Sequence, residues 1–377
     1  MSMRRSASVG VLLFAALLAC SSREPLDDLP AGAFLGGDAR ALARILAAAD
    51  GLPGTPLARA AEAWRARLEA CTGFVAQAPR ANPDELLDAI VCREAPELPD
   101  PVARLRGDAD LVFVLPLGER GRLAGSVRVA PDGSVGLSGR LALPDPGAAA
   151  LVLPASAEPP GPPVLSSNEA LVQARVRADA SGLASLVSEG SDADRMFRLR
   201  SELFAGALLD GTWELAVYLP RPGRLMPPVA LGLGVRSATA AGAAVQKLIA
   251  ELQATWPVHR TPFSLAGREG ACLLDLRVLP ELAPCFVLAG DQLVVGWNPE
   301  SLRTAFAGGD GPGPGEAGGW LIHLDRLAQA DELLRGAAAP GAPATRFDYG
   351  WQTLHVNVSN DERGWQLEAE LVGRNRS

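Results

Sequence analysis

Residues 123–143 carry the pattern that most constrains the fold of this chain. Their sequence, LAGSVRVAPDGSVGLSGRLAL, alternates between apolar and small or polar residues on both sides of Pro131-Asp132-Gly133. Successive side chains of a β-strand point to opposite faces, so this alternation indicates strands with one buried face. Because Asp-Gly is a favoured turn between antiparallel strands, the segment predicts a β-hairpin.

Similar alternating runs recur along the chain, separated by segments with helical spacing. The runs that predict strands are residues 170–178, 212–220, 228–237, 271–279, 285–290, 292–298, 319–324, 352–359 and 364–372. The segments that predict helices are residues 38–50, 55–71, 82–92, 181–188, 192–208, 239–256, 300–308 and 325–335. This mixture predicts an α+β fold with mainly antiparallel sheets and packed helices.

Two stretches share the same order of features. Residues 170–187 and 319–334 each run from a strand through an aspartate into a helix, and both precede further amphipathic strands. One interpretation is therefore a repeated strand–helix–hairpin unit, preceded by a small helical N-terminal region.

Changes in composition divide the chain into six segments. The expected order is a signal peptide, a lipid-anchored tether, a helical region, a β-hairpin with a Pro-rich linker, an α+β domain and a second, smaller α+β unit. These segments are residues 1–19, 20–37, 38–100, 101–164, 165–310 and 311–377.

The N-terminus has the pattern of an export signal. Arg4 and Arg5 precede an apolar run over residues 9–19, and Cys20 follows it. The run is shorter than the roughly 20 apolar residues that a membrane-spanning helix needs. A charged start, a short apolar run and a small residue at its end are typical of a secretory signal peptide.

The end of this run, LLAC at residues 17–20, resembles the lipobox of bacterial lipoproteins. The resemblance implies cleavage before Cys20 and acylation of that residue with fatty acids such as palmitate. Two or more acyl chains hold a protein stably on a membrane. Ser21 and Ser22 come next, and the family's sorting pattern then favours the outer membrane of the bacterial cell envelope, facing the periplasm or the surface. Secretion of an unlipidated protein, cut near the same place, is the alternative.

Four further cysteines predict two disulfide bonds. An even number of cysteines in an exported protein indicates disulfides, and four cysteines allow three connectivities. The local connectivity joins Cys71 to Cys92 and Cys272 to Cys285, with the shortest sequence separations. A metal site is disfavoured because no pair has C-x-x-C spacing and no histidine lies close enough to complete one. A nucleophilic Cys272 with His259 as its base is the competing interpretation.

The charge of the chain argues against one class of partner. Removing residues 1–19 takes away two arginines and changes the formal charge from −8 to −10. An acidic chain without a basic stripe does not favour nucleic-acid binding.

The sequence carries no assembled catalytic or cofactor-binding motif. It has no G-x-x-x-x-G-K-[ST] loop, no H-E-x-x-H and no G-x-S-x-G. His323 lies two residues from Asp325 at an expected strand end, where a base and an orienting carboxylate would share a face. A polar strand face explains the same pair more simply. No catalytic residue, metal or cofactor is therefore expected.

Tryptophans are numerous beside the two tyrosines of the chain. Five of the seven lie on or beside expected strands: Trp213, Trp297, Trp320, Trp351 and Trp365. Indoles commonly fill the space between a sheet and its helices. They would alternatively line an apolar cavity for a lipid or another hydrophobic ligand.

Residues 285–306, CFVLAGDQLVVGWNPESLRTAF, predict a strand, a Gly-Asp turn, a second strand and a capped helix. Together with residues 229–252, they resemble part of an uncharacterised family of exported bacterial proteins. The resemblance extends over residues 165–310. It implies a fold and an exported location, and it implies no activity.

These observations lead to three functional hypotheses. The first is a non-enzymatic envelope lipoprotein, anchored through Cys20, that serves as a scaffold or binding module for an envelope protein or glycan. It would use exposed sheet edges and Pro/Gly loops as contact surfaces. The second is a carrier or chaperone for a hydrophobic ligand or a lipoprotein, with an apolar cavity. The third is a hydrolase built around His323 or His259.

Overall fold

The computed structural model describes most of the chain between residues 29 and 373. The described residues are 29–30, 32–48, 56–80, 83–94, 97–117, 121–143, 153–155, 158–178, 208–255, 257–265, 267–275, 281–308, 318–338, 351–361 and 364–373. Cys20 and the helices predicted at 181–188 and 192–208 lie outside them.

Strands dominate the described part of the chain. Its helices are α1 (Ala39–Ala48), α2 (Pro56–Leu68), α3 (Pro83–Asp88), α4 (Asp100–Arg106), α5 (Ala238–Thr255), α6 (Pro299–Ala305) and α7 (Leu324–Ala338). Its strands are β1 (Ala33–Asp38), β2 (Gly73–Ala78), β3 (Val91–Arg93), β4 (Leu111–Leu117), β5 (Gly121–Val129), β6 (Val135–Ala142), β7 (Ala170–Arg177), β8 (Leu209–Tyr218), β9 (Val229–Val235), β10 (His259–Leu265), β11 (Arg268–Leu274), β12 (Cys285–Ala289), β13 (Gln292–Gly296), β14 (Gly319–His323), β15 (Trp351–Asp361) and β16 (Gly364–Gly373). Among these helices, none is both long enough and apolar enough to cross a membrane.

The chain divides into two compact units. The first unit lies within residues 1–145 and 346–377, and the second lies within residues 146–345. The first unit is therefore built from both ends of the chain, and the second is the segment between them.

Within the described residues, the first unit contains eight antiparallel strands in the order β15-β16-β6-β5-β4-β1-β2-β3. The hairpin predicted at residues 123–143 is confirmed as β5 and β6, in which Val129 lies opposite Val135. α4 buries Val102 and Leu105 against apolar side chains of this sheet. The amphipathic pattern at 123–143 therefore specifies a real hairpin in the middle of the unit.

The second unit also contains eight antiparallel strands, in the order β10-β11-β12-β13-β9-β8-β7-β14. Its sheet is covered on both faces. Leu293 of β13 belongs to one apolar cluster with Ile249 of α5. The next residue, Val294, belongs to a second cluster with Leu302 of α6 and with Leu165, which precedes β7. Neighbouring residues of a strand point to opposite faces, so α5 covers one face, and α6 with the segment before β7 covers the other.

The structure corrects the predicted α+β fold with its helical N-terminal region. Antiparallel strands dominate the part of the chain that the structure describes, and helices are few. The region expected to be helical, residues 38–100, contains β2 and β3, and β1 lies just before it. β1 and β2 are rich in Ala and Gly, which have a weak strand preference. They form strands because they pair with each other and because β1 pairs with the distant β4.

The predicted repeat of a strand–helix–hairpin unit is also wrong. β14 and α7 belong to the second unit, whereas the hairpin β15–β16 belongs to the first. β7 and β14 are the opening strands of the two supposed copies, and they pair with each other, with Ala174 opposite Trp320. A local pattern of apolar residues sets which face a strand buries, and it leaves the choice of partner strand open.

Candidate functional site

The predicted lipidation site, Cys20, lies outside the described residues, whereas the other four cysteines lie within them. Cys71 is bonded to Cys92, and Cys272 is bonded to Cys285, which is the local connectivity that the sequence favours. Cys272 and Cys285 lie directly opposite each other on β11 and β12, with their Cα atoms 3.9 Å apart. In this structure Cys272 is thus part of a disulfide in the core, without a free thiol.

His259 is paired with a carboxylate on the surface. Its Nδ1 lies 2.8 Å from Oδ2 of Asp275, and the two side chains are 77% and 62% exposed. His323 is buried at the end of β14, whereas Asp325 is exposed at the start of α7. The Asp325 carboxylate accepts a hydrogen bond from the backbone N–H of Arg326.

The tryptophans occupy several environments. Trp213 and Trp320 meet edge to face with their ring centroids 5.8 Å apart. Trp351 is buried and donates from its indole to the carbonyl of Gly133. Trp297 is 41% exposed. The indoles are therefore dispersed over the fold.

A cavity of charged and polar residues lies at one end of the second unit's sheet. Its volume is about 200 Å³. We call it the Arg–Glu pocket, and its lining residues are Asn168, Glu169, Arg221, Glu300, Arg303, Thr304 and Ala307. These residues come from the turn before β7, the loop after β8 and the helix α6.

The turn before β7 supplies two of the lining residues. The backbone N–H of Ala170 bonds to the carbonyl of Ser167, which closes a tight turn around Asn168 and Glu169. The carbonyl of Glu169 in turn accepts the N–H of Leu219, just beyond β8. The turn is thus fixed to the strand next to it.

Glu169 has an unusual backbone conformation. Its φ is +56°, in the left-handed region that non-glycine residues rarely adopt. Such conformations cost about 1–3 kcal/mol and are concentrated at functional sites. A glutamate with a left-handed backbone that also lines a pocket therefore indicates a functional site.

The segment that leads into this turn is held by a buried arginine. Residues 160–166, which we call the strap, lie over the face of the sheet that α6 also covers. Arg175 of β7 donates hydrogen bonds to the carbonyls of Pro160, at 2.6 Å, and of Gly161. The guanidinium therefore satisfies backbone acceptors of an irregular segment.

The same strap is held further along by Glu214 and Tyr218 of β8. The Glu214 carboxylate accepts the N–H groups of Val164 and Leu165 at 2.9 and 3.0 Å. The Tyr218 hydroxyl donates to the carbonyl of Ser166 at 3.1 Å. Buried polar side chains of the sheet thus fix the path of the chain up to the pocket.

Burial shifts the protonation of both acids. Desolvation raises the pKa of Glu214 above its ordinary value, and the N–H groups of Val164 and Leu165 and the charge of Arg175 oppose this shift. Desolvation also raises the pKa of Tyr218, and the nearby charge of Glu214 adds to it. The Tyr218 hydroxyl therefore keeps its proton and its hydrogen bond to the strap well beyond neutral pH.

α6 is positioned by its cap and by contacts to both neighbours. The side chain of Asn298 accepts the N–H of Ser301, as the Asn-Pro-Glu sequence predicts. The Ser301 hydroxyl accepts the N–H of Val229 at the start of β9. At the other end of α6, the carbonyl of Ala305 accepts the N–H of Ser166 from the strap. The walls of the pocket are thus bonded to one another.

The loop that carries Arg221 is anchored by a different carboxylate. Glu281 accepts the N–H groups of Leu225 and Met226 at 3.4 and 3.3 Å, and it lies 3.8 Å from the guanidinium of Arg224. This anchor leaves the side chain of Arg221 directed to the pocket.

Three loose ion pairs link the charges of the pocket. Arg221 lies 3.3 Å from Glu169 and 3.5 Å from Glu300, and Arg303 lies 3.8 Å from Glu300. All four side chains are substantially exposed, so each pair contributes little to stability. Two guanidinium groups and two carboxylates give the pocket a balanced charge with many donors and acceptors at its surface.

Thr304 adds a hydroxyl of a different kind. Its side chain is only 6% exposed. Within the part of the chain that the structure describes, its Oγ1 atom has no hydrogen-bond partner. A buried polar atom without a partner costs free energy. After a small rearrangement, this hydroxyl could therefore form a favourable hydrogen bond with a ligand.

No sequence motif marks this pocket, because its residues come from three segments separated by up to 139 positions, from Asn168 to Ala307. One signal was present: Glu300 and Arg303 are spaced i, i+3 on the capped helix predicted at 300–308, which puts them on one side of it.

The lining of the pocket combines several kinds of polar group. Its lining residues offer guanidinium, carboxylate, amide and hydroxyl groups, and none of them is Cys, Ser or His. Over the described residues, no group of three or more His, Cys, Asp or Glu side chains is arranged to hold a metal ion. Comparison with protein families, with curated proteins and with solved structures found no match to this chain. The function is therefore argued from the chain's own residues.

Proposed function

We propose that this protein is a lipid-anchored binding protein of the bacterial cell envelope, which acts by recognition rather than by chemical turnover. The observation that carries the proposal is the Arg–Glu pocket. Its walls are fixed by buried hydrogen bonds, and its charged groups are left accessible. A site of this kind is pre-organised for a ligand, because little conformational entropy is lost when the ligand binds.

Two candidate nucleophiles of the described chain have other roles. The Ser301 hydroxyl, close to the pocket in sequence, accepts the N–H of Val229 and donates to Asn298. Cys272 is held in a disulfide with Cys285. These contacts support binding over a nucleophilic mechanism.

Within the described residues β10 is an edge strand, and its sequence disfavours pairing with a partner strand, which leaves the pocket as the better contact surface. Pro262 lies in the middle of β10, opposite Ala271 of β11. The N–H of Leu273 points away from β10, to the carbonyl of Pro284, and alternation directs the backbone groups of Ala271 the same way. Pro262 therefore faces the open edge, where it removes a donor that an added strand would need.

The proposed anchor at Cys20 would restrict the protein to one membrane surface. Restriction to a surface raises the effective concentration of neighbouring molecules, so weak contacts become useful. A shallow, polar pocket fits this mode of action, since it need not bind tightly to act.

Site-specific photo-crosslinking in cells tests the proposal. A photoreactive residue replaces Ala307, which lines the pocket and is exposed. We expect an adduct that is lost when Arg221→Gln is introduced and when Cys20→Ala removes the anchor. Arg260→Gln, which changes an exposed arginine of β10 that does not line the pocket, is the matched control and should keep the adduct.

Two outcomes would overturn the proposal. One is an adduct that persists in Arg221→Gln, which would place the partner elsewhere. The other is loss of the cellular phenotype of the wild type in His259→Ala, with the variant folded and membrane-bound, which would favour the hydrolase hypothesis.

A further inference from the structure

We propose that the Arg–Glu pocket binds a neutral, polyhydroxylated ring, namely a sugar residue of an envelope glycan. This inference rests on the proposed function and names the class of ligand that the pocket recognises. Four features of the pocket carry it: the balance of its charges, the spacing of its ion pairs, its buried hydroxyl and its size.

The balance of charges disfavours ions of either sign. An anion that approaches Arg221 also meets Glu169 and Glu300, which flank that guanidinium at 3.3 and 3.5 Å. A cation that approaches either carboxylate meets Arg221 for the same reason. Like charges at this range repel, so a ligand without net charge is favoured.

The spacing of the ion pairs leaves room for groups that both donate and accept. The nitrogen–oxygen distances of 3.3, 3.5 and 3.8 Å exceed the usual 2.7–3.2 Å of a hydrogen bond. A hydroxyl accepts from a guanidinium N–H and donates to a carboxylate oxygen at the same time. Adjacent hydroxyls of a sugar therefore match the alternating Arg and Glu groups.

Thr304 and Asn168 extend this match. The Oγ1 atom of Thr304 has no hydrogen-bond partner among the described residues, although the side chain is nine-tenths buried. The side-chain amide of Asn168 offers both a carbonyl and an NH₂ group. Both groups suit a ligand rich in hydroxyls.

Size restricts the ligand to about one ring. The volume of about 200 Å³ lies below the roughly 300–1,000 Å³ of sites for drug-sized molecules. Trp297, which is half-exposed, precedes Glu300 by three residues and thus lies within about 10 Å of it along the chain. The exposed part of this indole would provide an apolar surface for a neighbouring ring of the same glycan.

Ligand-observed NMR and calorimetry on the full-length chain in detergent test the inference. The probes are N-acetylglucosamine and its β-1,4-linked disaccharide. The comparison ligands are glycine as a zwitterion and acetate and phosphate as anions. We expect the sugars to bind, with an affinity insensitive to salt because they carry no charge.

Variants locate the binding. Arg221→Gln and Glu169→Gly should each weaken sugar binding roughly tenfold or more, as expected for the loss of a hydrogen bond to a charged group. Arg260→Gln should bind like the wild type, because this exposed arginine of β10 does not line the pocket.

The outcomes separate this inference from the proposed function. If glycine or an anion binds in an Arg221-dependent way and the sugars do not bind, the sugar proposal is wrong, whereas the pocket remains a binding site. If no probe binds but the adduct in cells still depends on Arg221, the proposed class of ligand is wrong, and the proposed binding function stands. Sugar binding that is unchanged in both pocket variants would overturn the assignment of the site.

Discussion

Arg175 and Glu214 lie directly opposite each other on β7 and β8, and their side chains are only 1% and 2% exposed. The Arg175 Nε atom is 3.9 Å from the Glu214 carboxylate, so the direct contact is loose. Both residues instead form hydrogen bonds with the strap: the arginine donates to its carbonyls, and the glutamate accepts from its N–H groups. These two buried polar side chains of the sheet thus hold in place an irregular segment that ends at the pocket.

Replacing Arg175 is therefore expected to be strongly destabilising. Arg175→Met leaves Glu214 buried without its opposite charge, and breaking such a pair costs about 3–5 kcal/mol. Arg175→Met combined with Glu214→Leu should recover part of this loss, since no charge is then left buried alone. The free energy of unfolding in urea measures both effects.

Arg177→Met is the matched control for this experiment. Arg177 is on the same strand and pairs with Glu158 at 2.8 Å, and these side chains are 30% and 66% exposed, against 1% and 2% for Arg175 and Glu214, so water screens this pair far more. Exposed pairs contribute about 0–1 kcal/mol, so the variant should remain close to the wild type in stability. Equal losses in Arg175→Met and Arg177→Met would contradict the role assigned to the buried pair.

The raised pKa of Glu214 gives stability a defined pH dependence. A carboxyl whose pKa is higher in the folded than in the unfolded state contributes most below the unfolded pKa, and this contribution is lost as the pH rises through the folded pKa. We therefore expect the free energy of unfolding of the wild type to rise relative to that of Glu214→Gln as the pH falls from 7 towards 5. A wild type that instead loses stability relative to Glu214→Gln over this range would mean that the hydrogen bonds from the strap lower the pKa of Glu214 more than desolvation raises it.

Local patterns in the sequence identified individual hairpins and caps but not the sheets. The hairpin around Pro131-Asp132-Gly133 was predicted because its strands are neighbours in sequence and share one turn. β1 and β2 were not predicted, because Ala- and Gly-rich strands depend on pairing with distant partners such as β4. The helices predicted at 38–50, 55–71 and 82–92 are present as α1, α2 and α3, so the error in this region is the strands that were missed between and before them.

The candidate site was missed for a related reason. Cysteine spacing indicates disulfides from the sequence alone, and the structure places both pairs at bonding distance. The pocket combines Glu169, Arg221 and Glu300, which no motif connects. The left-handed backbone of Glu169 has no sequence signal either, because glycine or asparagine would normally be expected there.

The two disulfides should differ in their resistance to reductant. Cys92 lies on the exposed strand β3, whereas Cys272 and Cys285 are buried in the core of the second unit. Thiol–disulfide exchange requires access of the attacking thiolate to a sulfur atom. In the native protein, dithiothreitol should therefore reduce Cys71–Cys92 first, and Cys272–Cys285 only after urea is added.

Alkylation of the released thiols, followed by peptide mass spectrometry, measures this order. The same digest without reductant checks the pairing itself, and a peptide that joins Cys71 to Cys272 would refute it. Equal rates of reduction without urea would contradict the inferred protection of the second disulfide.

Lipidation at Cys20 is tested by metabolic labelling with a radioactive or clickable palmitate. Cys20→Ala removes the thiol that the lipobox resemblance identifies as the acylation site, so the label should disappear and the precursor should be processed differently. Ser21→Ala changes the adjacent residue without removing the thiol, and it should keep the label. Unchanged labelling of Cys20→Ala would refute the anchor.

The backbone of Glu169 distinguishes a residue kept for function from one kept for stability. Glu169→Gly and Glu169→Ala both remove the carboxylate and its ion pair with Arg221, but only glycine adopts a φ of +56° without steric cost. The glycine variant should therefore be more stable than the alanine variant by about 1 kcal/mol, despite the greater freedom of glycine in the unfolded chain. Urea unfolding of the two proteins measures this difference.

If the glycine variant is also at least as stable as the wild type while sugar binding is weakened, the glutamate is retained at this turn for its contact with the ligand. An alanine variant equal to or more stable than the glycine variant would show that the turn imposes no strain, and the argument from the backbone would fail.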